Sequence, residues 1–355
     1  MHRRIGWRPI RVLREVCVGE TREVLIGDDG SPIALRLKRW SDEAGRLKLG
    51  QRVSARIRSL KPDQGGAFIE TSDKAEAFLR LPDGHGLTEG QLIEVTVLSE
   101  ARQDKLPRVS MKDTDAGSLG IETWDNIPIE EVEIGDQQVE SAFEDALSPA
   151  VVIPNGGRLR IDRTHALVAV DIDSAGRRGK GSAASKALQL NLDACNALSR
   201  QIGLRKLGGL IILDCVAPLN VGSRQKVQNA MKSHLEMTGF PTATVLAPSQ
   251  LGLMEMSLPW RETPLDERML VERGEFSDES LCLAGLRLLE RTATKSPMDK
   301  LTLELPERAM TWLESRGAPL MAMLSEKYGH RLSYLASTKP APPAARICAG
   351  GDLDM

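Results

Sequence analysis

Two aspartates forty-three residues apart each close a short apolar run. Asp171 ends Ala166-Leu-Val-Ala-Val, and Asp214 ends Gly208-Gly-Leu-Ile-Ile-Leu. Four or five apolar residues rich in Val and Ile, with no helical gap in the pattern, read as buried strands. An ionised carboxylate at the end of such a strand is costly unless something charged answers it, and two on neighbouring strands repel each other. A divalent metal with oxygen ligands answers both, and in phosphate-handling sites that metal is Mg²⁺. The other reading is that each aspartate caps the loop or helix that follows it. Spacing alone leaves both open.

The elements that must position these residues follow from pattern. Residues 10–40 alternate apolar and polar around Asp28-Asp-Gly30, a hairpin signal. The same texture continues in Arg52-Val-Ser-Ala-Arg-Ile-Arg, Gly66-Ala-Phe-Ile-Glu, Ala77-Phe-Leu-Arg-Leu, Leu92 to Leu98 and Arg108-Val-Ser-Met. Five short strands in about sixty residues suggest a small β-barrel of the oligonucleotide-binding (OB) type. An acidic connector follows, and within it Val139, Ala142, Phe143 and Ala146 mark a helix over 137–147. From 151 to about 260 strand and helix patterns alternate, which predicts a mixed sheet covered by helices. One helix begins near Ala183 with Leu188, Leu192, Cys195, Leu198 and Ile202 on one face. A second begins near Ser223 with Val227, Met231 and Leu235 inward. The fold class is therefore mixed α+β. We divide the chain into an N-terminal β segment packing with the later α/β region (1–45), a barrel (46–112), an acidic linker with one helix (113–150), an α/β domain that carries both aspartates (151–275), a C-terminal α/β segment (276–338) and a disordered tail (339–355).

Bulk composition narrows the class. The 355 residues allow two or three domains, and a net charge of −2 carries no global argument for a nucleic-acid partner. Five cysteines without Cys-x-x-Cys spacing read as reduced thiols of a cytoplasmic protein. Five scattered histidines build neither a zinc site nor a Ser-His-Asp triad from local spacing. No secretory signal and no membrane span is expected.

Residues 155–257 resemble the catalytic region of the bacterial ribonuclease E/G family. The resemblance is carried by Asn155-Gly-Gly, Thr164-His-Ala-Leu-Val-Ala-Val-Asp171-Ile-Asp173-Ser174, Asn191-Leu-Asp-Ala, Arg200-Gln-Ile-Gly-Leu-Arg-Lys-Leu-Gly-Gly-Leu-Ile-Ile-Leu-Asp214 and Leu251-Gly-Leu-Met-Glu-Met-Ser257, in order and at matching spacing. It implies a DNase I-like α/β catalytic domain behind an S1-type RNA-binding barrel. The implied activity is Mg²⁺-dependent endonucleolytic hydrolysis of single-stranded RNA in processing or decay, with Mn²⁺ as a substitute metal. Asp171 and Asp214 match the metal-holding aspartates. Asp173 stands where the family commonly has Asn and joins the catalytic set. Phe68 and Phe78 match base-stacking aromatics and Lys105 a basic partner; the alternative for the two rings is the barrel core. Arg177, Arg178 and Lys180, in the loop after Asp173, are the expected phosphate contacts, whereas Arg205 and Lys206 decorate a turn.

The chain also departs from that family. About forty acidic residues between barrel and catalytic region are too few for the family's RNase H-like module and 5′-monophosphate pocket, so no 5′-end sensing by that route is expected. The zinc-sharing Cys-x-x-Cys is missing from 260–285, so no zinc is expected, and a homodimer would be held by other contacts. Ala247-Pro-Ser-Gln-Leu lacks an Arg, and Ala217 replaces a second acid after Asp214. A catalytically weak or inactive RNA-binding paralogue is thus the alternative, and a phosphoesterase acting on DNA or a small phosphate is a third reading.

Overall fold

The computed structural model describes residues 8–349 apart from Ala44, Asp83, Asp104, 113–123, Asp125, 178–180, 272–273 and 338–344. Three strands open the chain as successive hairpins: β1 (Pro9–Cys17), β2 (Glu20–Gly27) and β3 (Pro32–Arg39). Five strands then close a barrel: β4 (Arg52–Lys61), β5 (Gly66–Thr71), β6 (Glu76–Arg80), β7 (Leu92–Ser99) and β8 (Arg108–Ser110), in the order β4-β5-β6-β8-β7. These are the five runs whose alternation marks them in the sequence. Ala55, Ile57, Ala67, Ile69, Ala77, Leu79, Val95, Val97 and Val109 fill the interior. Their neighbours face out because strand side chains alternate.

The acidic connector is more than a linker. Its β9 (Ile129–Glu131) pairs parallel to β1 and extends the N-terminal sheet to the order β3-β2-β1-β9. All three residues of β9 are exposed and two are acidic, so no alternation betrays it. Helix α1 (Gln137–Leu147) is capped by Asp136, which accepts from the backbone of Gln138 and Val139. It buries Val139, Ala142, Phe143 and Ala146 against Leu13, Val24, Ile26 and Leu35 of the N-terminal sheet. Arg205, expected as turn decoration, is buried and donates to the carbonyls of Asp145 and Ser148, which ties the end of α1 to the next long helix.

The second half builds a six-stranded sheet from β10 (Ala150–Val152), β11 (Arg158–Arg163), β12 (Val168–Asp173), helix α2 (Ala183–Arg205), β13 (Gly209–Asp214), helix α3 (Val221–Met237), β14 (Thr244–Val245) and β15 (Leu253–Leu258). The order is β10-β11-β12-β13-β15-β14; β12 and β13 run parallel through the α2 crossover and the other pairs are antiparallel. Ser182 caps α2 by accepting from Ser185, and Asn220 caps α3 by accepting from Ser223. Both helices pack on one face of the sheet, burying Val168, Val170, Ile172, Ile211 and Leu213 under Leu198, Ile202, Val227, Met231 and Leu235. Each such side chain contributes about 1.5–3 kcal/mol by burial. The expected α2 face is half right: Cys195, Leu198 and Ile202 are fully buried, but Leu190, Asn191 and Ala194 take the inner positions ahead of Leu188 and Leu192.

Helix α4 (Leu265–Met269) leads to the C-terminal segment: α5 (Asp278–Lys295), β16 (Leu301–Pro306), α6 (Glu307–Arg316), α7 (Ala318–Tyr328), β17 (Leu332–Ser337) and β18 (Arg346–Ala349). The tail expected to be disordered supplies β18, which pairs antiparallel to β16. Its Pro- and Ala-rich approach masks four residues that complete a three-stranded sheet. A buried carboxylate joins this segment to the N-terminal sheet: Glu290 of α5 accepts from the Val18 amide at 2.6 Å, Lys327 at 2.8 Å and Tyr328 at 3.1 Å. No helix of the described residues is long and apolar enough to cross a membrane.

Candidate active site

The parallel register of β12 and β13 decides where the aspartates stand. Val168 pairs with Ile211, Ala169 with Ile212 and Val170 with Leu213, so Asp171 and Asp214 are the next residues along both strands. Adjacent strands lie about 4.8 Å apart. Because Val170 and Leu213 point into the helix-covered core, Asp171 and Asp214 both point to the opposite face, where both are exposed. Asp173 shares that face two residues on. Among the described residues no helix or strand covers it in the core contacts of the sheet, and it carries the charged positions of every central strand.

The three acids differ in what they do. Asp173 accepts a hydrogen bond from the Ala175 amide at 2.8 Å, so it caps the turn that leaves β12. The side-chain carboxylate of neither Asp171 nor Asp214 has a hydrogen bond or ion pair with a described residue, so neither is spent as a cap. Gly252 lies against Asp214: its φ is +92°, its carbonyl accepts from Cys215 at 3.0 Å, and a Cβ there would stand 3.1 Å from the Cys215 carbonyl and 3.7 Å from Asp214 Oδ1. A side chain at this position would be strained and would crowd the carboxylate.

Helix α2 braces both loops that follow the aspartates. Asn191 is fully buried; its amide nitrogen donates to the carbonyls of Ala187 at 2.8 Å and Val216 at 2.9 Å, and its oxygen accepts from Val216 at 3.0 Å. It thereby holds the chain just after Asp214. Two residues on, Asp193 accepts from Arg177 at 2.5 Å, while Arg177 also donates to the Gly156 carbonyl at 3.1 Å. Arg177 thus faces inward, tying the loop after Asp173 to the 155–157 turn. Arg178 and Lys180 lie outside the described residues. Asn191 and Asp193 carry no chemistry of their own in the sequence; their signal was only that they fall inside a matching string.

The barrel presents its aromatics outward. Phe68 and Phe78 are directly paired across β5 and β6, half-exposed, with ring centroids 5.5 Å apart at 68°. They alternate with buried Ala67, Ile69, Ala77 and Leu79, which excludes the barrel interior. Gly66 leaves room for the Phe78 ring, since a Cβ there would meet its Cζ at 2.5 Å. Lys105 is exposed on a turn bridged to Arg102. With Arg102, Arg163, His165 and Trp260 it lines a cavity of about 150 Å³ between the barrel and the start of β12 and β13. The barrel is fixed there by direct bonds: Gln103 N–H donates to Glu267 at 2.6 Å, Glu100 N–H to the Arg261 carbonyl at 2.7 Å, and the Arg102 guanidinium stacks 4.3 Å from Trp260.

Two exposed arginines on β11 join the same face. Arg160 is paired with Asp171 and Arg158 with Asp173 in the antiparallel register of β11 and β12. Directly opposed residues share a face. Alternation in Arg158-Leu-Arg-Ile-Asp was the available signal, and it could be read only once the sheet's open side was known.

A mixed α+β protein with a closed five-stranded barrel docked beside an open, charged sheet face carrying paired carboxylates is the class that fold and site define. Residues 111–259 match the Ribonuclease E/G family. The chain is 33% identical over 183 residues to Ribonuclease E of Haemophilus influenzae, covering 50% of this chain and 20% of that protein. To Ribonuclease E of Escherichia coli it is 33% identical over 190 residues, covering 51% and 18%. To Ribonuclease G of Escherichia coli it is 34% identical over 119 residues, covering 34% and 24%. Through this segment the chain is similar to the ribonuclease E/G family. It spans about a fifth of the length of the curated relatives it matches.

Proposed function

We propose that the chain is a Mg²⁺-dependent endoribonuclease that hydrolyses single-stranded RNA in processing or decay. The observation that carries this reading is the placement of Asp171 and Asp214 side by side, uncapped, on an open sheet face inside the family segment. The donor set fits a hard cation. Among the described residues no three His, Cys, Asp or Glu side chains converge. Mg²⁺ is commonly held by only one or two carboxylates, with water and substrate phosphate filling the other positions. Asp171 and Asp214 would hold it, with Mn²⁺ as a substitute and no zinc required. Such a cation supplies a water nucleophile at neutral pH and neutralises charge growing on the phosphoryl oxygens.

The chain's own residues supply position. The barrel order β4-β5-β6-β8-β7 suits an OB-type, S1-like RNA-binding module, and the sheet beneath two helices suits a DNase I-like domain. Phe68 and Phe78 offer two stacking surfaces, and Lys105 offers a phosphate contact between barrel and sheet. Asn191, Asp193 and Arg177 keep both carboxylate-bearing loops in place. The four buried free thiols, Cys17, Cys195, Cys215 and Cys282, accord with a cytoplasmic setting.

The test is cleavage of an unstructured RNA and of its 2′-deoxy equivalent, with and without Mg²⁺, beside Asp171→Asn and Asp214→Asn. Loss of metal-dependent RNA cleavage in both variants is expected. Equal cleavage by variants and parent refutes the assignment. RNA binding without turnover in the parent identifies the non-catalytic paralogue, a reading favoured by the inward commitment of Arg177.

A further inference from the structure

The open face raises a charge question that Asp171 and Asp214 alone do not answer. Asp173 adds a third acid on the same side of β12, two residues beyond Asp171. A third carboxylate beside a bound phosphodiester would repel it. The register supplies the counterweight: Arg158 stands opposite Asp173, and Arg160 opposite Asp171. Both arginines are exposed, while their neighbours Leu159 and Ile161 are buried. The Arg158 guanidinium has no hydrogen bond or ion pair with a described residue. Arg160 pairs with Asp162 at 3.0 Å, and 68% of its side chain remains exposed. An exposed pair of that kind is weak and readily exchanged.

We propose that Arg158 and Arg160 form a phosphate-gripping pair on β11 that offsets Asp173 and seats the RNA backbone across the carboxylates. This rests on the reading of the chain as an RNA-acting protein. Asp162 and Glu255 lie on the same face, so two guanidiniums against five carboxylates leave the patch net negative, and a divalent cation together with the arginines lowers that charge where backbone phosphate meets the loaded site. Arginine suits the task, since its planar fork meets two phosphate oxygens at once. β11 is also a rigid central strand, so the pair is held at fixed spacing: alternate residues of a strand are about 6.6–6.8 Å apart. The pair supplies cationic surface where Arg177 does not, because Arg177 is turned inward to Asp193.

The test is fluorescence anisotropy of a labelled unstructured RNA with the whole chain and with Ca²⁺, another hard cation with oxygen ligands, loading the site in place of Mg²⁺, across a salt series, with the RNA checked for intactness after each reading. The parent, Arg158→Ser/Arg160→Ser, Arg158→Lys/Arg160→Lys and Phe78→Ala are compared, with thermal melts to confirm folding. If each arginine neutralises one phosphate, the serine variant flattens the log Kd against log salt slope by about 1.4, at about 0.7 per single-strand contact. The lysine variant keeps the slope and loses only part of the affinity. Unchanged slope and affinity in the serine variant, with Phe78→Ala weakened, overturns this proposal and leaves the RNA-binding reading standing. No RNA binding by the parent overturns both.

Discussion

Removing the ring of Phe78 separates the two roles an outward aromatic can have. Phe78 stands edge-on to Phe68 at 5.5 Å, half-exposed on the barrel wall. An aromatic pair of this kind contributes about 0.5–1.5 kcal/mol to stability. Little buried area is lost with the ring, since Ala77 and Leu79 on either side carry the barrel core. Phe78→Ala is therefore expected to unfold at only slightly lower urea concentration than the parent. A base stacked on the ring is worth about 1–3 kcal/mol. At 1.4 kcal/mol per factor of ten, that is about 5- to 150-fold in Kd. The assay is anisotropy with a short unstructured RNA, run in parallel with urea denaturation on the same preparations. Phe78→Leu, which keeps apolar bulk without a π-face, should retain stability and lose most of the affinity. Phe68→Ala should show the same split, and the double variant should lose no less than the worse single one. A large loss of stability with unchanged RNA affinity refutes the argument and returns both rings to a structural role.

The remaining predictions address the brace, the third acid and the buried charges. Asn191→Leu frees the Val216 amide and should lower kcat more than it raises KM, because the loop after Asp214 loses its anchor; steady-state kinetics on RNA check this. Asp173→Asn keeps an oxygen for the Ala175 amide and removes a charge, so folding is expected to be unchanged and RNA affinity in EDTA tighter; loss of turnover as complete as in Asp171→Asn would instead make Asp173 a third ligand. Glu290→Ala strands the buried Val18 amide and should cost about 1–3 kcal/mol in urea unfolding, and Glu290→Gln less, because Lys327 is 48% exposed. Burial alone would raise Glu20, yet Arg287, Arg39 and Arg22 hold it below its ordinary 4.5; burial likewise opposes Glu100, and Arg46 with the Thr263 amide holds it down. Both therefore stabilise the fold fully above about pH 4.5, and that stability is lost as pH falls through their depressed folded values, which thermal melts from pH 6 to pH 3 would show.

How much of this was legible in the sequence follows from which signals are local. The barrel strands and α1 were legible because their apolar positions recur at a single period and because Gly, Pro and Asp end each run. β9 and β18 were not, since each is held by a partner far away in sequence and carries no pattern of its own. The paired aspartates were visible as residues, but not as a pair. That they stand level depends on the parallel alignment of β12 with β13, which the α2 crossover sets and no local pattern encodes. The same applies to Arg158 and Arg160: alternation makes them outward, and only the antiparallel register says what they face. The inward bonds of Arg177 were hidden for a related reason. A basic residue in a Gly-rich loop looks free until the acid sixteen residues later is brought beneath it by a helix.

The division of labour among the three acids then has a physical cause. Spacing could not separate a metal ligand from a cap, because both end a strand with a carboxylate. The structure shows which of the three is a cap by what the next residues do. After Asp173 the chain turns at once, and the nearest amide, that of Ala175, takes the carboxylate. After Asp171 the strand continues for two more residues, so its own amides are committed to the sheet. After Asp214 the chain is drawn away to Asn191 and Gly252, which take the polar groups of Val216 and the amide of Cys215. Both loops are thereby satisfied without the two aspartates, which stay available to an exogenous cation. A carboxylate left uncapped because its loop is satisfied elsewhere differs from one exposed by accident, and α2, through Asn191 and Asp193, is the element that makes that difference here.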